Sequence, residues 1–349
     1  MSTTYRAVAW NPQKRRYDFV AASLIVAFVT VVVGVQAIVR PELTIETLLI
    51  RALGAAAFTL LHVILCIGPL SRLDRRFLPL LYNRRHLGVM MFTLALSHGA
   101  FSIVQFHSLG TLHPLVSVLV SNSRYETISQ LPFQPFGLAA LVILFLMAAT
   151  SHDFWLHNLT APVWKTLHMS VYVAYTLIVL HVVFGVLQGE ASRLLGWTLC
   201  GGVLTVFSLH VLAARQEARG DRENTNVQMN GFVDVCGVDD IPEKRAVVTC
   251  LSGERVAVFR YDGQISAISN VCQHQNGPLG EGRIVNGCVV CPWHGYEYVP
   301  ASGASPPPFT EKVPTFDVRV VAGRVLVHPQ PHAPGTRVEP AALATARTA

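Results

Sequence analysis

Phe19–Val39 is a run of 21 residues without one charged side chain. A helix of that length covers about 30 Å, the thickness of the hydrocarbon core of a bilayer. It is also too long for the core of a signal peptide, so it is expected to stay as an uncleaved anchor. Composition points the same way: 51% of the 349 residues are hydrophobic and only 14% are charged, too apolar for an ordinary soluble protein. Five further spans follow at Thr47–Leu70, Leu87–Phe106, Pro132–Thr150, Trp164–Leu187 and Leu194–Ala213. Arg51 lies near one end of the second, where a long side chain can snorkel to the interface. Pro132 and Pro135 limit the clean helical length of the fourth. A six-helix transmembrane bundle over residues 19–213 is the expectation.

Charge orients it. Lys14, Arg15 and Arg16 precede the first span within a polar segment, 1–18, and Arg72, Arg75, Arg76, Arg84 and Arg85 crowd the loop Ser71–Arg85. The opposite loops hold few basic residues, Arg40, Arg124 and Arg193. By the positive-inside rule both termini are then cytoplasmic in a bacterial-type inner (plasma) membrane. Residues 1–225 carry 17 Lys and Arg against 10 Asp and Glu, whereas residues 226–330 carry 8 against 10. The net charge of +6 therefore belongs to the apolar half and reads as membrane orientation, not nucleic-acid binding.

Beyond the spans, Ala214–Asn226 is charged and free of aromatics, and reads as a linker. Short β-rich runs follow at Phe232–Val235, Ala246–Cys250, Arg255–Tyr261, Ile265–Ser269, Phe316–Val321 and Val325–His328, with turns such as Asp262-Gly263 between them. They predict a small antiparallel β domain over residues 227–329. Residues 330–349, rich in Pro, Ala and Thr, are expected to be a disordered tail.

Within the β domain lies Cys272-Gln273-His274, followed after sixteen residues by Cys291-Pro292-Trp293-His294. Two thiolates and two imidazoles in alternating pairs suit a [2Fe–2S] cluster with two Cys on one iron and two His on the other. Structural zinc also takes two Cys and two His, but its usual spacing groups like ligands together. This pattern, with Asn276-Gly277-Pro278-Leu279 and the Cys-Pro-Trp-His-Gly295 run, resembles the Rieske iron–sulfur family. The resemblance implies a small all-β Rieske domain with Cys272, His274, Cys291 and His294 as cluster ligands. Some members add a disulfide within the cluster loops; Gly277 and Trp293 stand at those positions here, which implies the lower-potential, ferredoxin-like subclass.

Ionisable residues inside spans are functional candidates. His86 and His98 lie twelve apart on the third span, His168 and His181 thirteen apart on the fifth. Both spans run the same way, so His86 is level with His168 and His98 with His181, as two stacked haems held by axial histidines would need. A spacing of thirteen rotates the second histidine by about 140° on a straight helix, so the helix must bend or the haems face differently. Asn83-Arg84-Arg85-His86-Leu87-Gly88 leading to His98, and Trp164-Lys165 with Leu167-His168-Met169 leading to His181, resemble the ferric-reductase-like transmembrane family. That family includes the membrane haem subunit of bacterial methionine-sulfoxide reductase and the NADPH-oxidase haem domains. The resemblance implies haem b on His98, His168 and His181, with His86 matching a fourth ligand used by some members. His62, mid-depth in the second span, is the alternative to His86. His107, His113, His152, His157 and His210 lie near interfaces and read as solvated. No C-x-x-C-H occurs, so the haem, two copies expected, is non-covalent.

No G-x-G-x-x-G stands at a strand-to-helix turn, and with only about twenty residues after the β domain the mononuclear iron domain of an oxygenase is not expected within this chain. The expected function is membrane electron transfer by an oxidoreductase component that needs partners. A cytoplasmic reductase or ferredoxin is the expected donor to the cluster, the haems lie in the bilayer, and an acceptor waits at the outer face. The alternatives are a quinol/quinone oxidoreductase of cytochrome b–Rieske type and a membrane-anchored Rieske ferredoxin whose helices are structural.

Overall fold

A computed structural model of the chain describes residues 12–120, 122, 125, 130–151, 155, 159, 161–187, 193–220, 231–274, 276–293, 295–307 and 309–343. The chain divides into two compact units, one of Val8–Val211 and one that includes Leu212–Ala349.

The first unit is helical: α1 (Pro12–Val39), α2 (Ile45–Leu73), α3 (Leu78–His107), α4 (Pro114–Val120), α5 (Gln134–Ala149), α6 (Ala161–Met169), α7 (Val171–Val182) and α8 (Arg193–Gly220), the last running on into the second unit. Five stretches are long and apolar enough to cross a membrane: Lys14–Val39, Ile45–Leu73, Asn83–His107, Val163–Leu187 and Arg193–Arg219. The expected fourth span differs. Its helix α5 has 16 residues, about 24 Å at 1.5 Å per residue and short of the ~30 Å hydrocarbon core. The cause is the proline pair: Phe133 is the N-cap and Pro135 sits in the first turn, where a residue without an N–H can start a helix but not continue one. The fifth span is interrupted at Ser170, between His168 and His181, and ends in a π-helical turn at Val183–Leu187. Thr44 caps α2, its hydroxyl accepting from the Thr47 N–H at 3.4 Å.

The bundle core is a layer of aliphatic and small residues, Leu61, Leu65, Met91, Ala140, Leu144, Ala174 and Val206, drawn from α2, α3, α5, α7 and α8. Small residues let helices approach where lipid gives no hydrophobic drive to associate. Arg193–Gly220 is one continuous helix, so the first residues of the expected linker, 214–220, are helical; residues 221–226 lie outside the described residues.

The second unit is all β. One sheet has the order β1 (Val233–Gly237), β10 (Arg324–Val327), β9 (Val318–Val321). A second runs β11 (Ala341–Ala342), β4 (Gln264–Ser269), β3 (Glu254–Tyr261), β2 (Arg245–Leu251), with β8 (Thr315–Phe316) also on β4. A small third sheet, β5 (Arg283–Val285), β6 (Cys288–Val290), β7 (Glu297–Tyr298), lies between them in sequence. Asp262-Gly263 and Asn286-Gly287 join β3 to β4 and β5 to β6, each with both residues at positive φ. That is the backbone of the tight hairpin turn whose twist matches paired strands.

The tail is corrected. Residues 330–343 are not a disordered segment: Ala341 and Ala342 pair antiparallel with Ile265 and Gln264, and the Val338 N–H donates to the Ala301 carbonyl at 2.8 Å. Composition reports side chains, whereas an open strand edge recruits any backbone that can supply N–H and C=O groups. Residues 344–349 lie outside the described residues.

Candidate metal centres

Two loops of the β unit carry the first centre. Cys272 follows β4 and Cys291 follows β6, and the two loops make the same pair of backbone hydrogen bonds. The N–H of Asn276 donates to the Cys272 carbonyl at 2.7 Å, and that of Cys272 to the Gly277 carbonyl at 2.9 Å. Four and five residues past the other cysteine, Gly295 N–H donates to the Cys291 carbonyl at 2.9 Å and Cys291 N–H to the Tyr296 carbonyl at 2.7 Å. Asn276 and Gly295, at matching places, both have positive φ. Each loop thus curls around its own cysteine and holds it at the loop base.

The loops also close on each other. A Cβ on Gly277 would stand 2.7 Å from the Cys291 sulfur and 3.2 Å from the Trp293 ring, so only glycine fits. Both sulfurs are buried, neither cysteine is in a disulfide, and both belong to the core of Leu279, Tyr296 and Tyr298. The Tyr298 hydroxyl lies 3.4 Å from the Cys272 sulfur and accepts the Gln273 N–H at 3.1 Å. Burial, and then the neighbouring Cys272, push this hydroxyl above its ordinary pKa, so it stays a donor. His274 stacks on the Tyr296 ring at 4.8 Å with planes 13° apart, and Tyr296 in turn donates to the Glu311 carboxylate. His294 lies outside the described residues. Among the described residues no three His, Cys, Asp or Glu side chains gather as for a single ion. Two buried thiols and an oriented imidazole, from loops that only glycine allows so close, fit a cluster whose four ligands are shared by two irons.

The second centre is in the helices. His98 of α3 and His181 of α7 face each other, ring centroids 6.2 Å apart and planes crossed at 87°. His98 Nδ1 is 2.8 Å from the Ile50 carbonyl of α2, and His181 Nδ1 is 2.9 Å from the Phe133 carbonyl at the start of α5. A carbonyl only accepts, so each Nδ1 carries the hydrogen and each Nε2 keeps its lone pair. Both rings lie flush on a glycine. A Cβ on Gly54 would meet His98 Nδ1 at 2.9 Å, and one on Gly137 would meet His181 Nδ1 at 2.7 Å. Two metal–imidazole bonds of ~2 Å each put facing ring centroids roughly 6 Å apart. These two residues would fit the imidazole ligands that a haem b takes from facing helices.

The other candidates are placed differently. His86 Nδ1 is bonded to the Asp18 carboxylate of α1 at 2.8 Å and 2.9 Å. His168 stacks on Trp164 at 3.8 Å, with Nε2 3.4 Å from the Thr150 hydroxyl. The structure brings His98 and His181 together, but shows no ring contact between His86 and His168 among the described residues. His62 uses both nitrogens: Nδ1 on the Phe58 carbonyl of its own helix at 2.9 Å, Nε2 on the Tyr175 hydroxyl at 3.0 Å. His107, read as solvated, is instead buried against the Ser117 hydroxyl at 2.9 Å. His210 lies 3.0 Å from the Tyr172 hydroxyl; His152 and His157 lie outside the described residues. Sequence reading passed over Tyr298, Gly54, Gly137 and Asp18. The glycines left a trace, because each stands 44 residues before its histidine.

Comparison with known proteins agrees with both halves. Residues 231–317 match the Rieske [2Fe-2S] domain family, and residues 53–179 match the ferric reductase like transmembrane component family. The chain is 32% identical over 99 residues to the biphenyl dioxygenase ferredoxin subunit of a Pseudomonas species, covering 28% of this chain and 90% of that protein. It is 30% identical over 92 residues to the anthranilate 1,2-dioxygenase ferredoxin subunit of Burkholderia cepacia, covering 26% and 85%. With the ferredoxin component of the alkene monooxygenase system of Xanthobacter autotrophicus the identity is 29% over 101 residues, covering 29% and 83%.

Proposed function

Since the chain belongs to the Rieske [2Fe–2S] family through residues 231–317 and carries a ferric-reductase-like membrane component over residues 53–179, we propose that it is a membrane electron-transfer protein linking a cytoplasmic donor to an acceptor at the outer face. Cys272, His274, Cys291 and His294 would hold the cluster, and His98 and His181 the axial positions of one haem b. A second haem would use His168, with His86 opposite. His62 is the weaker alternative, because both of its nitrogens already have partners. Each group, when bound, takes and gives one electron at a time.

The observation that carries this reading is the facing pair His98 and His181. Two histidines merely packing a bundle have no need to face each other from two helices with both Nδ1 atoms tied back to carbonyls of two further helices. The residues of the chain do the rest: they fix each tautomer, exclude water, and keep the thiols buried.

Six crossings complete the topology if α5 spans a locally thinned bilayer, which short apolar helices can accommodate. The five arginines of residues 71–85 support a topology in which the β unit would lie on the cytoplasmic side of a bacterial-type inner membrane. The donor in this scheme is a reductase or ferredoxin.

The test is spectroscopic. Purified protein should show a Rieske EPR signal together with a reduced-minus-oxidised b-type band, with haem counted per chain by pyridine haemochrome. A cluster signal without haem would leave an anchored ferredoxin with structural helices in place of this proposal. A reporter fused after Val327 gives the side: alkaline phosphatase activity there would reverse the topology.

A further inference from the structure

Three positions recur at a constant offset. Ile50, Gly54 and His98 become Phe133, Gly137 and His181 on adding 83 to each number. The matched residues do the same thing in each half: a carbonyl receives the imidazole Nδ1–H, at 2.8 Å and 2.9 Å, and the glycine four residues on lies under the ring. The offset also holds in the core. Ala57 maps to Ala140, Leu61 to Leu144 and Met91 to Ala174, and all six are buried. In each half the cradle and the histidine stand on different helices, α2 and α3 in one, α5 and α7 in the other.

From this we infer that the helix pair α2 and α3 and the helix pair α5 and α7 are two copies of one ligand-presenting unit, and that Gly54 and Gly137, with the carbonyls of Ile50 and Phe133, are positioning residues for a single shared haem. This rests on the haem reading above and adds what holds its ligands. The offset does not extend to the other candidates. It carries His62 onto Phe145, and His86 onto Met169, one residue past His168. The paired cradle therefore belongs to the His98 and His181 site alone.

The physical reason for glycine is space. Ring and backbone are already in contact, and an added methyl at under 3.0 Å must push the imidazole off its carbonyl. The carbonyl fixes both the rotation of the ring and which nitrogen is bare, so losing it frees the ligand on both counts. Gly202 is the internal control. A Cβ there would stand 2.6 Å from Nε2 of His62, an equally severe clash in the same bundle but against a histidine outside the pair.

The experiment uses full-length protein in membranes, with the Rieske EPR signal as the reference for folded chain. Gly54→Ala and Gly137→Ala should each convert the low-spin ferric signal of one haem to high-spin, and let the reduced protein bind carbon monoxide. Gly202→Ala should leave the signal of the His98 and His181 haem unchanged. Should the alanine variants fail to accumulate, His98→Gly and His181→Gly replace them. Each leaves an empty cradle that added imidazole can enter, its N–H on the carbonyl and its other nitrogen on the iron. 1-Methylimidazole binds iron but has no N–H to donate. Imidazole should restore the low-spin signal at about tenfold lower concentration, the worth of one hydrogen bond of roughly 1–1.5 kcal/mol. Unchanged low-spin spectra in both alanine variants, or equal rescue by the two imidazoles, would overturn the cradle. Haem-free wild-type protein would instead remove the haem reading on which it stands.

Discussion

The cluster loops and the membrane histidines solve one problem by opposite routes. Each centre is built from two equivalent halves that meet. In the β unit, a cysteine and the backbone that wraps it lie within six residues, as in Cys272 to Gly277 and Cys291 to Tyr296. In the membrane, the histidine and the carbonyl that orients it are 48 residues apart on different helices, as in Ile50 to His98 and Phe133 to His181. A loop can curl on itself because its backbone groups are free to turn inward. A transmembrane helix has already committed its N–H and C=O groups along its axis, so a ligand there must borrow support from a neighbouring helix. The local design is robust to changes elsewhere in the chain. The distributed design depends on helix packing.

The comparison is broken most sharply by removing ligands. His274→Ala should abolish the Rieske EPR signal while leaving the b-type band. His98→Ala and His181→Ala should each abolish the same haem while leaving the cluster signal intact. If His98→Ala and His181→Ala remove different haems, the two residues do not share an iron and the facing pair is misread.

A graded effect should follow from Tyr298→Phe. The hydroxyl lies 3.4 Å from the Cys272 sulfur; with that sulfur a cluster thiolate the hydroxyl would donate, and such a bond favours the reduced cluster, which carries the extra negative charge. Removing it should lower the midpoint potential by roughly 40–60 mV, the equivalent of one hydrogen bond of ~1–1.5 kcal/mol for a one-electron couple. Redox titration followed by EPR reads it, and an unchanged or raised potential would contradict the geometry. Asp18→Asn should act more weakly and elsewhere. If His86 is a ligand, losing the carboxylate behind its Nδ1 makes the imidazole a poorer donor and raises one haem potential by about tens of millivolts, with the His98 and His181 haem unmoved. The smallest effect expected is from deleting residues 338–349. This removes the β11 pairing at an exposed sheet edge, worth about 1 kcal/mol or less, and should shift the urea midpoint for cluster loss slightly downward.

What was legible in the sequence follows the same division. Cys272-Gln273-His274 and Cys291-Pro292-Trp293-His294 could be read because ligand and scaffold share one short stretch. The long spans could be read because apolar length is a local property, and Pro132 with Pro135 foretold where α5 would be cut short. The strands β5 to β7 could not, since two or three residues have no periodicity to detect. Tyr298 looked like any aromatic in a β core until its hydroxyl was seen beside Cys272. Gly54 and Gly137 are ordinary membrane-helix glycines until the 44-residue spacing to His98 and His181 is noticed, and that spacing has meaning only once the helices are paired. The tail misled because Ala341 and Ala342 contribute backbone, and composition says nothing about backbone.

The position of one cradle has a consequence for what the protein can react with. Phe133 is the N-cap of α5, and Gly137 lies three residues into that helix, about 5 Å along its axis. Ile50 is five residues, about 8 Å, into α2. Both supporting carbonyls thus stand near the starts of their helices, and in the proposed topology the His98 and His181 site would lie near one face of the bilayer. If the proposed haem sits there, an electron leaving it would have a short path to the water, and no channel would have to admit the acceptor. Bulk is then no barrier: a folded protein resting on the membrane surface can be served as readily as a small ion, and the surface around that mouth, more than any pocket, would decide which is chosen.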